Sequence, residues 1–198
     1  MSKSNRIRYN RQQNPLVRSG PPWGAIAFFS VIGSIAVVAI GFAAWLAFKP
    51  AEPIAGLIER DGLPRGHVQT KVRYDTTPPM GGEHHPVWQN CDGRVYDQPV
   101  QNEHAVHSLE HGAVWFTYRP GLPDEDLEKL KKKVSSIDYT MLSPVPEQDA
   151  PIILTAWGKQ VKVNDADDKR IDAFLKAFLK GPQTPEPGAA CAGGKDTP

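Results

Sequence analysis

The sequence predicts an α+β, or mixed α/β, domain with helices packed on a sheet, preceded by one transmembrane helix. Three observations carry that prediction. Trp23 to Phe48 runs 26 residues without a charge. Beyond it, strand-like runs rich in β-branched and aromatic residues alternate with segments of helical period, the pattern of helices layered on a sheet. Between them, Glu103 to Gly112 packs three of the six histidines into one short helix.

The first 22 residues form a basic arm. Lys3, Arg6, Arg8, Arg11 and Arg18 precede the apolar run, with no acidic residue among them. Positive residues stay on the cytoplasmic side, so the rest of the chain is expected outside the plasma membrane. Five basic residues without a fold around them suit anionic lipid better than nucleic acid, and no nucleic-acid partner is expected. Without the arm's five positives, 18 basic residues remain against 22 acidic ones. The near-neutral whole is therefore an asymmetric molecule.

Residues 23–48 read as the transmembrane helix. At about 1.5 Å per residue they exceed the roughly 30 Å hydrocarbon core, with room for tilt. The apolar region of a cleaved signal peptide is only about 7–15 residues long, and no small-x-small cleavage site follows here. Trp23 and Trp45 stand near the ends, where indoles favour the interface. Residues 49–66 are rich in Pro and Gly and read as a stalk, 67–181 as the extracytoplasmic domain, and 182–198 as an extended tail with little to bury.

Within the domain, Val68, Val72 and Tyr74 suggest a first strand, followed by a long loop from Asp75 to Pro86. The histidine helix begins near Asn102, a favourable N-cap, and stops at Gly112, a favourable C′ residue. Ala113 to Tyr118 is a strand by composition. Pro123 opens a helix with Leu127, Leu130 and Val134 on one face, acids at its start and lysines at its end. Tyr139 to Leu142 and Ile152 to Trp157 read as strands. Gly158-Lys159 reads as a turn into Gln160 to Val163, making a hairpin. A last helix from about Asp165 to Lys180 buries Ile171, Phe174, Leu175 and Phe178.

The histidine helix carries the chemistry. At 100° per residue, His104, His107 and His111 fall within about 60° of arc, away from Ala105, Val106 and Leu109. Imidazoles one turn apart suit a metal ion, with zinc or copper as the candidates. His107 and His111 are the leading pair, with His84 as the partner from the loop; His85, His104 and Cys91 are weaker candidates. His107 to His111 also spells H-x-x-E-H, in which Glu110 would activate water as a weak catalytic candidate. A helix ending at Gly112, with no third carboxylate ligand downstream, fits that reading poorly. Glu110 can instead steer an imidazole. Cys91 and Cys191, the only cysteines, form a disulfide candidate outside the cytoplasm, which would take Cys91 out of the ligand set.

The residues Gly81, Gly82, His84, Trp88, Asn90-Cys91, Tyr96, Pro99-Val100 and Glu103, then AVHSLEHGAVWFTYRP and TPEPGAACAGG, resemble a family of single-span actinobacterial proteins known only as a domain of unknown function. The resemblance covers roughly Val68 to Gly194, and AVHSLEHGAVW is its most specific part. Some relatives have a shorter segment than Cys91 to Tyr96 here. The resemblance implies that His84, Cys91, His107, Glu110, His111 and Cys191 belong to the family pattern, and that the domain is exported and membrane-tethered. It implies no reaction.

The reading that follows is a membrane-anchored extracytoplasmic protein that binds or handles zinc or copper, leaning away from an enzyme. The alternatives are an accessory subunit of an envelope or membrane complex, with a protein partner beside the bilayer, and a metal-dependent hydrolase.

Overall fold

The computed structural model describes residues 21–48 and 53–198. All but the last two residues of the basic arm, and residues 49–52 of the expected stalk, lie outside them. The chain divides into two compact units, Met1–Pro50 and Ala51–Pro198. In the first, helix α1 (Trp23–Phe48) is apolar all round, exposed over Trp23–Leu46, and long and apolar enough to cross a membrane.

The second unit is an α+β fold built on a mixed sheet of six strands. In chain order its elements are β1 (Ile58–Glu59), β2 (Asp92–Val95), α2 (Asn102–Glu110), β3 (Val114–Tyr118), α3 (Asp124–Ser135), β4 (Thr140–Pro144), β5 (Ile152–Ala156), β6 (Lys159–Val163) and α4 (Lys169–Phe178). The sheet runs β1-β6-β5-β3-β4-β2. Strands β3 and β4 are parallel with α3 as their crossover, β2 is parallel to β4, and the other pairs are antiparallel.

Strand alternation sorts side chains onto two faces. Val114, Phe116, Leu142, Ile152, Leu154, Val161 and Val163 form one core with Leu130 and Val134 of α3 and Ile171, Phe174 and Leu175 of α4. Trp115 and Met141 point the other way, against Ala105, Val106 and Leu109 of α2, with Cys91 and Cys191. The sheet is thus the middle of three layers.

Local signals place most helix ends. Helix α2 stops at Glu110, His111 is its C-cap, and Gly112 takes φ +102, the left-handed turn expected of a C′ glycine. Its start differs from expectation: Gln101 holds the cap position without a side-chain bond, and Asn102 is already helical. In α4 the Asp168 carboxylate accepts from the Arg170 amide, so the helix begins a turn later than expected. The hairpin turns on Trp157-Gly158, one residue earlier than expected, since Ala156 pairs with Lys159 and Gly158 takes φ +67.

Four regions depart from the sequence reading. Val68 to Tyr74 forms no strand: the Val68 amide makes one isolated bridge to the His84 carbonyl, and that of Val72 donates to the Glu103 side chain, Oε1, at 2.8 Å. Strand β2 has no strand-like composition, yet pairs with β4 through a bulge at Gly93. Ile58 and Glu59, inside the expected stalk, extend the sheet beside β6. Residues 182–198 are not a loose tail. Their backbone bonds to α2 and to the loop before β2: the Glu186 and Gly188 amides donate to the Glu110 and His111 carbonyls, and the Lys195 amide to Trp88. Small residues make that approach possible; a Cβ on Gly194 would meet the Trp88 carbonyl oxygen at 2.5 Å.

Candidate metal centre

Helix α2 lays its apolar residues on the sheet, which turns the opposite face toward the loop from Met80 to Cys91. That loop runs along the helix. The His85 amide donates to the Glu103 carbonyl, the Gln89 amide to that of His104, and Ser108 Oγ to the Gln89 carbonyl at 2.6 Å. The loop therefore buries the polar face of α2 instead of leaving it in water: His84, His107, Ser108, Glu110 and His111 are all buried.

Four of these and neighbouring side chains converge. Donor atoms of His67, His84, His107 and Glu110 all lie within 4.8 Å of one another. The rings of His67, His84 and His107 form a triangle with centroids 4.8–5.0 Å apart. Trp157 meets His84 edge-on and Trp88 meets His107, walling the group with indoles.

The hydrogen bonds set the tautomers. His84 Nδ1 lies 2.8 Å from the Gly82 carbonyl oxygen and His107 Nδ1 lies 2.7 Å from that of His85. A carbonyl only accepts, so both Nδ1 atoms carry the proton and donate, and it is the Nε2 atom of each ring that is left to offer a lone pair to a metal. A backbone carbonyl holding the far nitrogen is how ligating imidazoles are usually oriented. Burial, with the neighbouring imidazoles, lowers the His107 pKa from 6.5 to about 4, so this ring is neutral at neutral pH.

Glu110 supplies the unusual contact. Its Oε2 stands 2.9 Å from His84 Nε2, but off the line an N–H would take, so that buried nitrogen has no hydrogen-bond partner. A lone pair and a carboxylate at this distance, both nearly out of solvent, ask for a positive charge between them. Three imidazoles and one carboxylate are a donor set for a divalent transition metal.

The other expected residues lie outside this group. His111 sits against His107 at 4.5 Å between centroids, but its Nδ1 donates to the Ala190 carbonyl and its Nε2 faces Glu186 at 3.9 Å. His85 and His104 stack on each other away from the four, His104 donating to the Val87 carbonyl and His85 accepting the Val87 amide. Burial lowers the pKa of His104 and His111 as well. Cys91 and Cys191 are paired at disulfide distance, which removes Cys91 as a thiolate donor. The expected partnership of His107 with His111 is thus replaced by His107 with Glu110, one helical turn apart on α2. His67 was not among the expected residues. It stands alone in sequence beside Gly66, the one histidine of six outside the His84-His85 pair and the α2 stripe, and no local pattern marks it.

Residues 67–193 match the family described as "Protein of unknown function (DUF3105)". The chain belongs to this family. The DUF3105 span starts at His67 and takes in all four converging residues and both cysteines, while α1 and β1 lie before it. No curated protein and no solved structure matches the chain.

Proposed function

We propose that this protein binds a divalent transition metal through His67, His84, His107 and Glu110, on a domain that α1 tethers to the outer side of the plasma membrane. The carrying observation is the buried His84 Nε2 with no partner beside the Glu110 carboxylate. A tetrahedral zinc ion with bonds of about 2.0–2.2 Å spaces its donors about 3.3–3.6 Å apart. Donors already within 4.8 Å, with His84 Nε2 and Glu110 Oε2 at 2.9 Å, need only small shifts to close on it. Imidazole and carboxylate favour zinc or cupric ion over cuprous ion, which prefers sulfur; Cys91 is engaged elsewhere.

Handling or storing the metal fits better than turnover. The H-x-x-E-H scheme needs His111 as a ligand and Glu110 standing off it, whereas His111 faces Ala190 and Glu186, and Glu110 joins the donors. Burial of the imidazoles favours metal binding over an interaction module whose histidines only build its surface. The cytoplasmic basic arm follows the positive-inside rule, and a disulfide suits an oxidising compartment. A membrane or envelope protein is then the natural donor or acceptor of the ion.

The test is metal analysis of the full-length protein in detergent after exposure to zinc or cupric ion and desalting. One equivalent is expected for the wild type and for His111→Ala, and none for His84→Ala or His107→Ala. A wild type that retains neither ion overturns the reading.

A further inference from the structure

We infer that His67 is the exchangeable ligand of this centre, the one that leaves so that an external nitrogen donor can take or deliver the metal. The inference rests on the metal-binding reading and adds how the ion passes in and out.

The four donors are unequal. The side chains of His84 and Glu110 are 0% and 4% exposed, and His107 is buried with them, whereas the His67 side chain is 49% exposed. The same inequality appears in their hydrogen bonds. His84 and His107 each anchor Nδ1 on a backbone carbonyl, which locks ring orientation. Among the described residues, the His67 ring has no hydrogen bond. Glu110 Oε2 lies 4.0 Å from His67 Nε2.

The backbone around His67 is nonetheless fixed. The Val68 amide donates to the His84 carbonyl at 2.8 Å, and the His84 amide to that of Gly66 at 3.0 Å, a single parallel bridge. The ring can therefore swing about its side-chain torsions while its Cα stays beside the site, with no loop opening required. Exposed rotamers turn over far faster than segments unfold.

Without His67, the remaining His84, His107 and Glu110 form a two-histidine, one-carboxylate set. Such a set holds zinc firmly while leaving a fourth position for a solvent-side ligand. An incoming imidazole, such as an exposed histidine of a partner protein, reaches the metal at the place His67 vacates. The exchange is neutral in electrons and protons: one metal–nitrogen bond breaks and another forms, and the released His67 returns to water.

The experiment uses the full-length protein in detergent micelles, loaded with one equivalent of cobalt(II) as a coloured stand-in for zinc, then challenged with excess EDTA. The His67→Ala protein should still hold one equivalent and release it at least about tenfold faster than wild type. Free imidazole should slow that release and restore the four-coordinate absorption. His84→Ala should hold none. Equal release rates and spectra for wild type and His67→Ala would overturn the inference, and so would loss of binding in His67→Ala as complete as in His84→Ala. If wild type itself takes up no cobalt or zinc, the metal-binding reading falls and this one with it; the two failures appear in different proteins and are distinguishable.

Discussion

The two faces of the sheet are built on different principles. Against α3 and α4 the contacts are mainly apolar, from Phe116 and Leu154 on the strands to Leu130 and Phe174 on the helices. Against α2 the sheet contributes Trp115 and Met141, but the outer side of that helix buries His84, His107, Ser108, Glu110 and Gln89. The first face is held by area removed from water, which tolerates any well-packed arrangement of similar volume. The second is held by carbonyls, a carboxylate, a cross-link and, on our reading, a metal ion, none of which tolerates loss of one partner. Stability and chemistry are thereby separated by one sheet.

Breaking the apolar face should have the largest effect. Phe174→Ala empties a fully buried site on α4 and is expected to cost about 3–5 kcal/mol in urea unfolding, while any refolded fraction keeps its metal stoichiometry. The cross-link comes next. The paired cysteines are 100 residues apart, and Cys91→Ser with Cys191→Ser is expected to cost about 2–5 kcal/mol by the same measurement. The loss should fall on the α2 side, so hydrogen exchange should rise at the Glu186 and Gly188 amides bonded to that helix before it rises in β5.

Zinc separates the faces at a third level. At a hundredfold excess over its Kd, it should stabilise the wild type by about 2.7 kcal/mol, read as a rise in melting temperature, with no rise in His84→Ala. The pH response is the finest probe. The His107 pKa lies below its unfolded value, at about 4 against 6.5, and those of His104 and His111 are lowered in the same direction. Between those values the unfolded chain binds protons that the fold refuses. Stability of the metal-free protein is therefore fully present above about pH 6.5 and lost progressively as pH falls toward 4. Melting curves across that range should show the decline, and His107→Gln should flatten it.

Much of the α3 and α4 face was legible in the sequence, because each element there is recognisable from a few adjacent residues. The i, i+3, i+7 apolar positions of α3, the hairpin of β5 and β6 and the acids at the start of α3 are local signals. The candidate centre was legible only in part. The imidazole stripe of α2 is a local periodicity, so His107 could be singled out. Which of His104, Glu110 and His111 joins it depends on the carbonyls opposite, and those come from residues 82–90 and 190. Residues 182–198 misled for the same reason: almost nothing apolar marks them, and their order comes from backbone bonds to distant partners.

The sequence by itself determined the uncharged span of α1, the α+β character of the rest, the segregated face of α2 and the cysteine pair. Each follows from composition or from a period written within a few turns of chain. Only the tertiary structure decided that His67 stands against His84 and His107, that Glu110 converges with these three imidazoles, and that β1 and β2 form the sheet's edges. Those outcomes depend on contacts between segments 17 to about 100 residues apart. Their free energy comes from packing and from satisfying buried polar groups, which no local pattern records.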